Sequence, residues 1–269
     1  MKKAVDGIKA KLPLIDLCLE ILDARIPRSS SNPILEELTK NKPQIILLNK
    51  KDMAEEKETQ RWLEKLSTSK NKVLAFQAQK DDKTGLIYKL ARELLEDKWE
   101  KRSEKGIENE EIRMLVYGIP NSGKSTLINN LAKRKGAKVG NRPGITTSQQ
   151  WIKTNSNLLI MDTPGILWQK LSKEAALHLA YTGAIRDDVL PLQDLGFSLI
   201  KDLYQLNPKV FQDRYGVIAT DPLEVMEEIG RKTGALMKGS YVNYELVAKK
   251  VLDDFRKVKL GRWTLERVK

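Results

Sequence analysis

The sequence predicts an α/β domain, a mostly parallel sheet flanked by helices, over residues 1–170, followed by a smaller all-α domain over 171–269. Three observations carry this. Short apolar runs alternate with amphipathic stretches through the first 170 residues, as strands and crossover helices do. One run opens into a Gly-rich turn that leads straight into a helical stretch, the setting in which a strand–turn–helix unit holds phosphate. Beyond Trp168 the strand signals stop and helical spacing takes over.

In order, strands are expected over Leu14–Leu22, Gln44–Leu48 (QIILL), Lys72–Phe76, Ile112–Tyr117 (IRMLVY) and Leu158–Met161 (LLIM), each a short apolar run. Helices are expected between them over Pro33–Thr39, Ala54–Leu66, Leu86–Lys101 and Lys124–Lys133. The highly charged segment Lys101–Glu111 reads as an exposed connection. In the second domain Ser172–Thr182, Leu195–Tyr204, Pro222–Thr233 and Tyr244–Val258 have helical spacing, punctuated by Gly183, Pro191, Asn207-Pro208 and Gly239.

A hydrophobic share of 41% over 269 residues is enough for a core and excludes a disordered basic tail protein. Lys and Arg number 48 against 36 Asp and Glu, a net charge of +12 that points to a polyanionic partner. The excess is uneven. Residues 1–170 carry 32 basic against 22 acidic side chains, residues 171–228 carry 5 against 10, and residues 229–269 carry 11 against 4. Lys133, Arg134, Lys135, Lys138 and Arg142 form a cluster with no acid within it. No uncharged stretch approaches the ~20 residues of a membrane span, and no signal-peptide core follows Met1. A lone Cys18 makes no internal disulfide. The expectation is a cytoplasmic monomer that does not engage membranes.

Gly118-Ile119-Pro120-Asn121-Ser122-Gly123-Lys124-Ser125 matches GxxxxGK[ST] in full, after a strand and before a helix. Glycines let backbone N–H groups close around phosphate oxygens, and the helix N-terminus adds its dipole. Lys124 then reaches the β and γ phosphates and Ser125 ligates Mg²⁺. Asp162-Thr163-Pro164-Gly165 follows a strand and suits the Mg²⁺-associated carboxylate, with the Gly165 N–H at the γ-phosphate. Between them, Thr146 in Pro143-Gly144-Ile145-Thr146-Thr147 is the first choice of Mg²⁺ ligand in a switch loop, with Thr147 the alternative.

Base recognition falls upstream. Asn49-Lys50-Lys51-Asp52 follows a strand, so Asp52 can accept from the two guanine donors, Asn49 can brace the loop and the Lys50 stem can cover the ring. Phe76-Gln77-Ala78 ends the next strand, where a backbone N–H can meet the guanine oxygen. The elements therefore run base site, phosphate site, switch: a rotated order. Rotation leads the segment after Gly165 directly into the helical domain, so nucleotide state is expected to set that domain's position through a short linker.

This motif order, with DARIP at Asp23–Pro27 and SSSNP at Ser29–Pro33, closely resembles the ribosome biogenesis GTPase A family, over nearly the whole chain including the GRWTLE ending. The resemblance implies a circularly permuted P-loop GTPase domain and a helical RNA- and ribosome-binding domain. It also implies GTP hydrolysis with Mg²⁺, and partners that include GTP, GDP, rRNA and ribosomal proteins of the large-subunit precursor. By resemblance Asn49, Lys50, Lys51, Asp52, Gln77, Ala78, Asn121, Ser122, Gly123, Lys124, Ser125, Thr126 and Gly165 bind GTP. Lys124, Thr146 and Gly165 serve hydrolysis, and Ser125, Thr146 and Asp162 serve the metal. Asn121 looks like the P-loop Asn of potassium-stimulated GTPases, which adds K⁺ as a cofactor.

Two departures follow. Ile166 occupies the place where conventional GTPases carry a water-orienting Gln, so a low intrinsic, ribosome-stimulated rate is expected. The family's N-terminal stretch with a catalytic His has no counterpart, and the chain is expected to begin at an internal Met. A nucleotide-gated RNA-binding factor with negligible catalysis, or a permuted GTPase of the small subunit, are the alternatives. His178 in an Ala- and Leu-rich helix and Cys18 in an apolar run read as structural, as does Trp168 at the domain linker; Asp23 and Arg25 read as either a turn or an RNA contact.

Overall fold

The computed structural model describes residues 2–78, 80, 84–106, 111–132, 150–154 and 157–268. Lys133, Arg134, Lys135, Lys138, Arg142, Thr146 and Thr147 lie outside the described residues. Two compact units form, Met1–Lys170 with Glu266–Lys269, and Leu171–Leu265.

The first unit runs α1 (Lys2–Lys11), β1 (Leu17–Asp23), α2 (Pro27–Ser30), α3 (Pro33–Thr39), β2 (Gln44–Asn49), α4 (Glu56–Leu66), β3 (Asn71–Ala75), α5 (Thr84–Leu94), α6 (Glu96–Ser103), β4 (Ile112–Gly118), α7 (Lys124–Ala132), β5 (Gln150–Lys153) and β6 (Leu158–Asp162). One sheet of order β3-β2-β1-β4-β6-β5 results, parallel apart from β5, which pairs antiparallel with β6. Side chains alternate across it as a pleat requires. Leu17, Leu19 and Ile21 face the α5 and α7 side with Met114 and Val116. Cys18, Leu115 and Tyr117 face the side covered by α1 and α3, and Leu22, Ile46 and Leu48 meet Trp62 of α4. Burial on both faces is why these strands read as continuous apolar runs.

Because the strands are parallel, β2, β4 and β6 deliver Asn49, Gly118 and Asp162 to one edge. The register fixes their neighbours: Asp23 beside Asn49, Ile21 beside Gly118, Val116 beside Asp162. The order reverses about β1, and the crevice beyond such a reversal is where open α/β sheets take ligands.

Several boundaries move. Pro13 makes Leu12–Leu14 a 3-10 turn, so the first strand starts at Leu17. The helix expected over Leu86–Lys101 is two, broken between Leu94 and Glu96. Helix α1 and the four-residue β5 had not been expected, β5 because it is too short to show alternation.

The second unit holds α8 (Lys173–Tyr181), α9 (Leu192–Leu206), α10 (Val210–Tyr215), α11 (Pro222–Thr233) and α12 (Tyr244–Arg256), closed around Leu199, Leu203, Phe211, Ile229, Val251 and Phe255. Ser172, Asp221 and Asn243 accept backbone N–H bonds as N-caps of α8, α11 and α12. The sequence reading placed 171–269 together; Glu266–Lys269 belong instead to the first unit. The reason is a cap. The Glu266 carboxylate accepts from the Arg28 N–H at 2.6 Å and from the Ser29 N–H and hydroxyl, at the N-terminus of α2. Trp62 Nε1 donates to the Glu266 carbonyl at 2.8 Å, and Arg267 pairs with Glu55 at 2.7 Å. Among the described residues no helix is long and apolar enough to cross a membrane.

Candidate functional site

The turn between β4 and α7 bends through two left-handed residues, Asn121 (φ 58°) and Gly123 (φ 100°), the alternation that turns successive N–H groups toward one point. The first N–H groups of α7 have no intrahelical acceptor and face the same space. Lys124 is buried, with Nζ 3.4 Å from the Ile119 carbonyl. Burial pulls its ammonium down to about 8, against the opposing pull of Asp162. Ser125 and Thr126 follow, half-buried, in the first turn of the helix.

The base loop and the phosphate loop are joined by one side chain. Asn49 Nδ2 donates to the Ser122 carbonyl at 2.7 Å, and Asn49 Oδ1 accepts from the Ala78 N–H at 2.9 Å. A Cβ on Gly123 would collide with that amide, so Gly123 is required by space as well as by φ. Asn49 thus braces two loops, 73 and 29 residues away from it in sequence. The Ala78 N–H is engaged by Asn49 in this structure. Asn130 of α7 donates to the Ala78 carbonyl and fixes the same loop from below. Gln77 is half-buried beside it.

Lys50 takes the left-handed conformation (φ 60°) and sends its ammonium to Asp23 at 2.9 Å. Asp23 also holds Arg25 through Nε at 2.9 Å and Nη2 at 2.7 Å. The two cations hold the Asp23 carboxyl well below its usual range against burial. The tip of Lys50 is therefore anchored at the sheet edge; only its stem is left to line a base site. Asp23 and Arg25 are both buried, which settles their alternatives: they form a structural ion cluster. Lys51 and Asp52 continue into a 3-10 turn and remain half-exposed.

At the end of β6 Asp162 is fully buried; neither carboxylate oxygen has a partner at full hydrogen-bond geometry among the described residues, while the Thr163 N–H and the Gln150 side chain lie close enough to favour its charged form. Burial pushes its carboxyl up, opposed by Lys124. A buried carboxylate without a full-geometry partner, facing a buried ammonium and with the Ser125 hydroxyl at the neighbouring helix start, fits a hydrated Mg²⁺ that takes few protein ligands beside phosphate oxygens. For K⁺, Asn121 stands in the phosphate loop, where its side-chain oxygen would serve as one ligand. Gly165 lies against the phosphate loop: a Cβ there would stand 2.7 Å from Pro120 N. Ile166 is buried among Leu115, Tyr117 and Met161, and its carbonyl accepts from Asn32 Nδ2 at 2.9 Å. Asn32 Oδ1 caps α3, so SSSNP ties the switch segment to a helix start. The sequence carried that signal as a motif without a role. Thr146, with its alternative Thr147, lies outside the described residues.

His178 and Cys18 are buried, and burial pushes the Cys18 thiol up to about 12, which leaves it unreactive.

Against known proteins, the family model described as "50S ribosome-binding GTPase" matches residues 113–216, starting with the phosphate strand and leaving Asn49–Asp52 outside the matched stretch. Ribosome biogenesis GTPase A of Bacillus pumilus is 42% identical over 270 residues, covering 99% of this chain and 96% of the relative. Two solved structures have the same architecture: GDP-bound YlqF (TM-score 0.69, 28% identity, 97% and 98% of the two chains) and GNP-bound YlqF from T. maritima (TM-score 0.66, 27% identity, 98% of each).

Proposed function

The chain belongs to the ribosome biogenesis GTPase A family, and from that premise we propose that this GTP-hydrolysing biogenesis factor acts on an immature large ribosomal subunit, binding its rRNA in a nucleotide-dependent way. The observation that carries the nucleotide half is the Asn49 bridge, which joins a guanine-type loop to a phosphate loop across a rotated chain order.

In this reading the backbone cradle of 121–125 and Lys124 hold the phosphates, and the Lys124 ammonium offsets charge that grows on them during bond cleavage. Asp52 selects guanine. Ser125, Asp162 and Thr146 are the residues that would hold Mg²⁺, which when bound neutralises phosphate charge. Gly165 gives its N–H to the γ-phosphate, and its lack of a side chain lets that N–H approach past Pro120. Ile166 offers no polar group to a water and its carbonyl is already engaged. Intrinsic hydrolysis is therefore slow, and the particle supplies what is missing.

Co-sedimentation with immature large subunits tests the reading. Binding is expected with a non-hydrolysable GTP analogue, released on the switch to GDP; equal binding in both states, or to small subunits, defeats it. Asp52→Asn should move preference from guanine to xanthine nucleotides, and retained guanine preference removes Asp52 from the base site. Single-turnover hydrolysis with and without large subunits separates this reading from a gated RNA binder, since only the GTPase accelerates.

A further inference from the structure

Between α11 and α12 the chain makes a tight hairpin that the nucleotide chemistry does not use. Leu236 and Val242 form an antiparallel bridge, Met237 N–H donates to the Tyr241 carbonyl at 2.7 Å, and Ser240 N–H donates to the Met237 carbonyl at 3.1 Å. Gly239 (φ 87°) and Ser240 (φ 61°) turn the tip. Its base is anchored: Ala235 and Val242 are buried in the helical core, and Val242 packs so closely on Gly230 of α11 that a Cβ there would sit 2.5 Å from it. The tip behaves in the opposite way. Met237 is 54% exposed and Tyr241 71%, although both are large side chains that folding normally covers.

The Tyr241 ring is not loose. A Cβ on Gly239 would lie 3.1 and 3.2 Å from two ring carbons, so the ring rests against the glycine and turns its other surface to solvent. Lys238, at the turn, is exposed and forms no ion pair among the described residues. It is the one charged side chain between Gly234 and Asn243, in a region where residues 229–269 carry 11 cations against 4 anions. A positioned aromatic face beside an unneutralised ammonium is the recognition chemistry of unpaired nucleic acid, ring against base and cation against phosphate. An acidic peptide would use the charge and leave the flat ring unexplained; a membrane would want more than one cation and a larger apolar face.

We propose that the Met237–Tyr241 hairpin tip is an RNA contact, in which Tyr241 stacks on an unpaired base and Lys238 meets the adjacent phosphate. This rests on the rRNA-binding reading above and gives it a place on the surface.

The test uses the full chain and two probes: purified large-subunit rRNA, and a 12-nucleotide single-stranded RNA carrying one 2-aminopurine. Tyr241→Ala should weaken binding of both about ten-fold and abolish 2-aminopurine quenching, while Tyr241→Phe retains both. Lys238→Gln should lower the slope of log affinity against log salt by about one, leaving quenching intact. GDP affinity and the thermal midpoint should not change in either, since both side chains are exposed and outside the nucleotide loops. If Tyr241→Ala binds and quenches like the parent protein, the hairpin contact is wrong while rRNA binding stands. If the parent protein binds neither probe, the rRNA reading falls and takes the hairpin with it. A control arm with large-subunit proteins freed of RNA separates a protein contact: if Tyr241→Ala loses that binding and keeps both RNA probes, the proposal is overturned.

Discussion

Two buried charges face each other where phosphate would lie, and each is displaced from its ordinary state: Lys124 is drawn down to about 8 and Asp162 is pushed up, both by burial. The direction has a consequence for ligand binding. Phosphate favours the charged ammonium, so binding restores the proton that burial has loosened. As pH rises through about 8 the free protein loses that proton and binding must supply it. GDP affinity should therefore fall about ten-fold between pH 7 and pH 9, with close to one proton taken up per GDP at pH 9. Calorimetry in two buffers of different ionisation enthalpy measures this. Lys124→Arg, which does not titrate in that range, should show neither effect; a flat affinity in the parent protein would show that Lys124 is fully charged before the ligand arrives. Single residues were also where the sequence was hardest to read. Asp52 and Lys124 announce themselves by type and spacing. That the Ala78 N–H serves Asn49, or that Lys50 is drawn to Asp23, depends on which loops fold against each other, and no local pattern encodes it.

At the scale of elements, the legible strands β1, β2, β4 and β6 are largely buried on both faces, and their continuous apolar runs of five to seven residues stand out. Strand β3, at the end of the sheet, is only half-buried and shows by its short run of apolar residues. Elements whose existence depends on a neighbour were not legible: among the described residues β5 pairs only with β6, and α2 is four residues capped by Glu266, 237 residues away from Ser29. Strand β1 contains the one polar side chain its pattern does not explain. Glu20 faces the α1 and α3 side, accepts from the Ser31 hydroxyl at 3.0 Å, and is pushed up to about 7 by burial and by Glu36. Its folded-state value lies above the ordinary 4.5, so the folded protein holds a proton that the unfolded chain releases. That contribution is complete below pH 4.5 and is lost as pH rises through about 7. Glu20→Gln keeps the shape without the charge. The variant should gain stability over the parent protein as pH rises from 5 to 8, by roughly 2–3 kcal/mol at the upper end. Urea unfolding at each pH measures the difference, and a pH-independent gap would mean Glu20 stays ionised throughout.

Considered as a whole molecule, the chain leaves the nucleotide-binding unit and returns to it at the same place. Asn32 holds the outgoing strand at Ile166; Arg28 and Ser29 hold the returning chain at Glu266. One stretch of SSSNP and its flank anchors both crossings. In topological terms the helices are an insertion, not an appendage: residues 171–265 form a cassette between two segments of one unit, Met1–Lys170 and Glu266–Lys269. A cassette can be removed. Joining Lys170 to Glu266 through about eight Gly and Ser residues should leave a protein that folds, keeps the Glu266 cap on α2 and binds GDP like the parent protein, with no RNA or subunit binding. Circular dichroism and nucleotide titration would check it, and a variant that unfolds would show that the helices are structurally required. One chain order thus combines a rotated set of nucleotide loops with a helical cassette set between two segments of the unit that carries them.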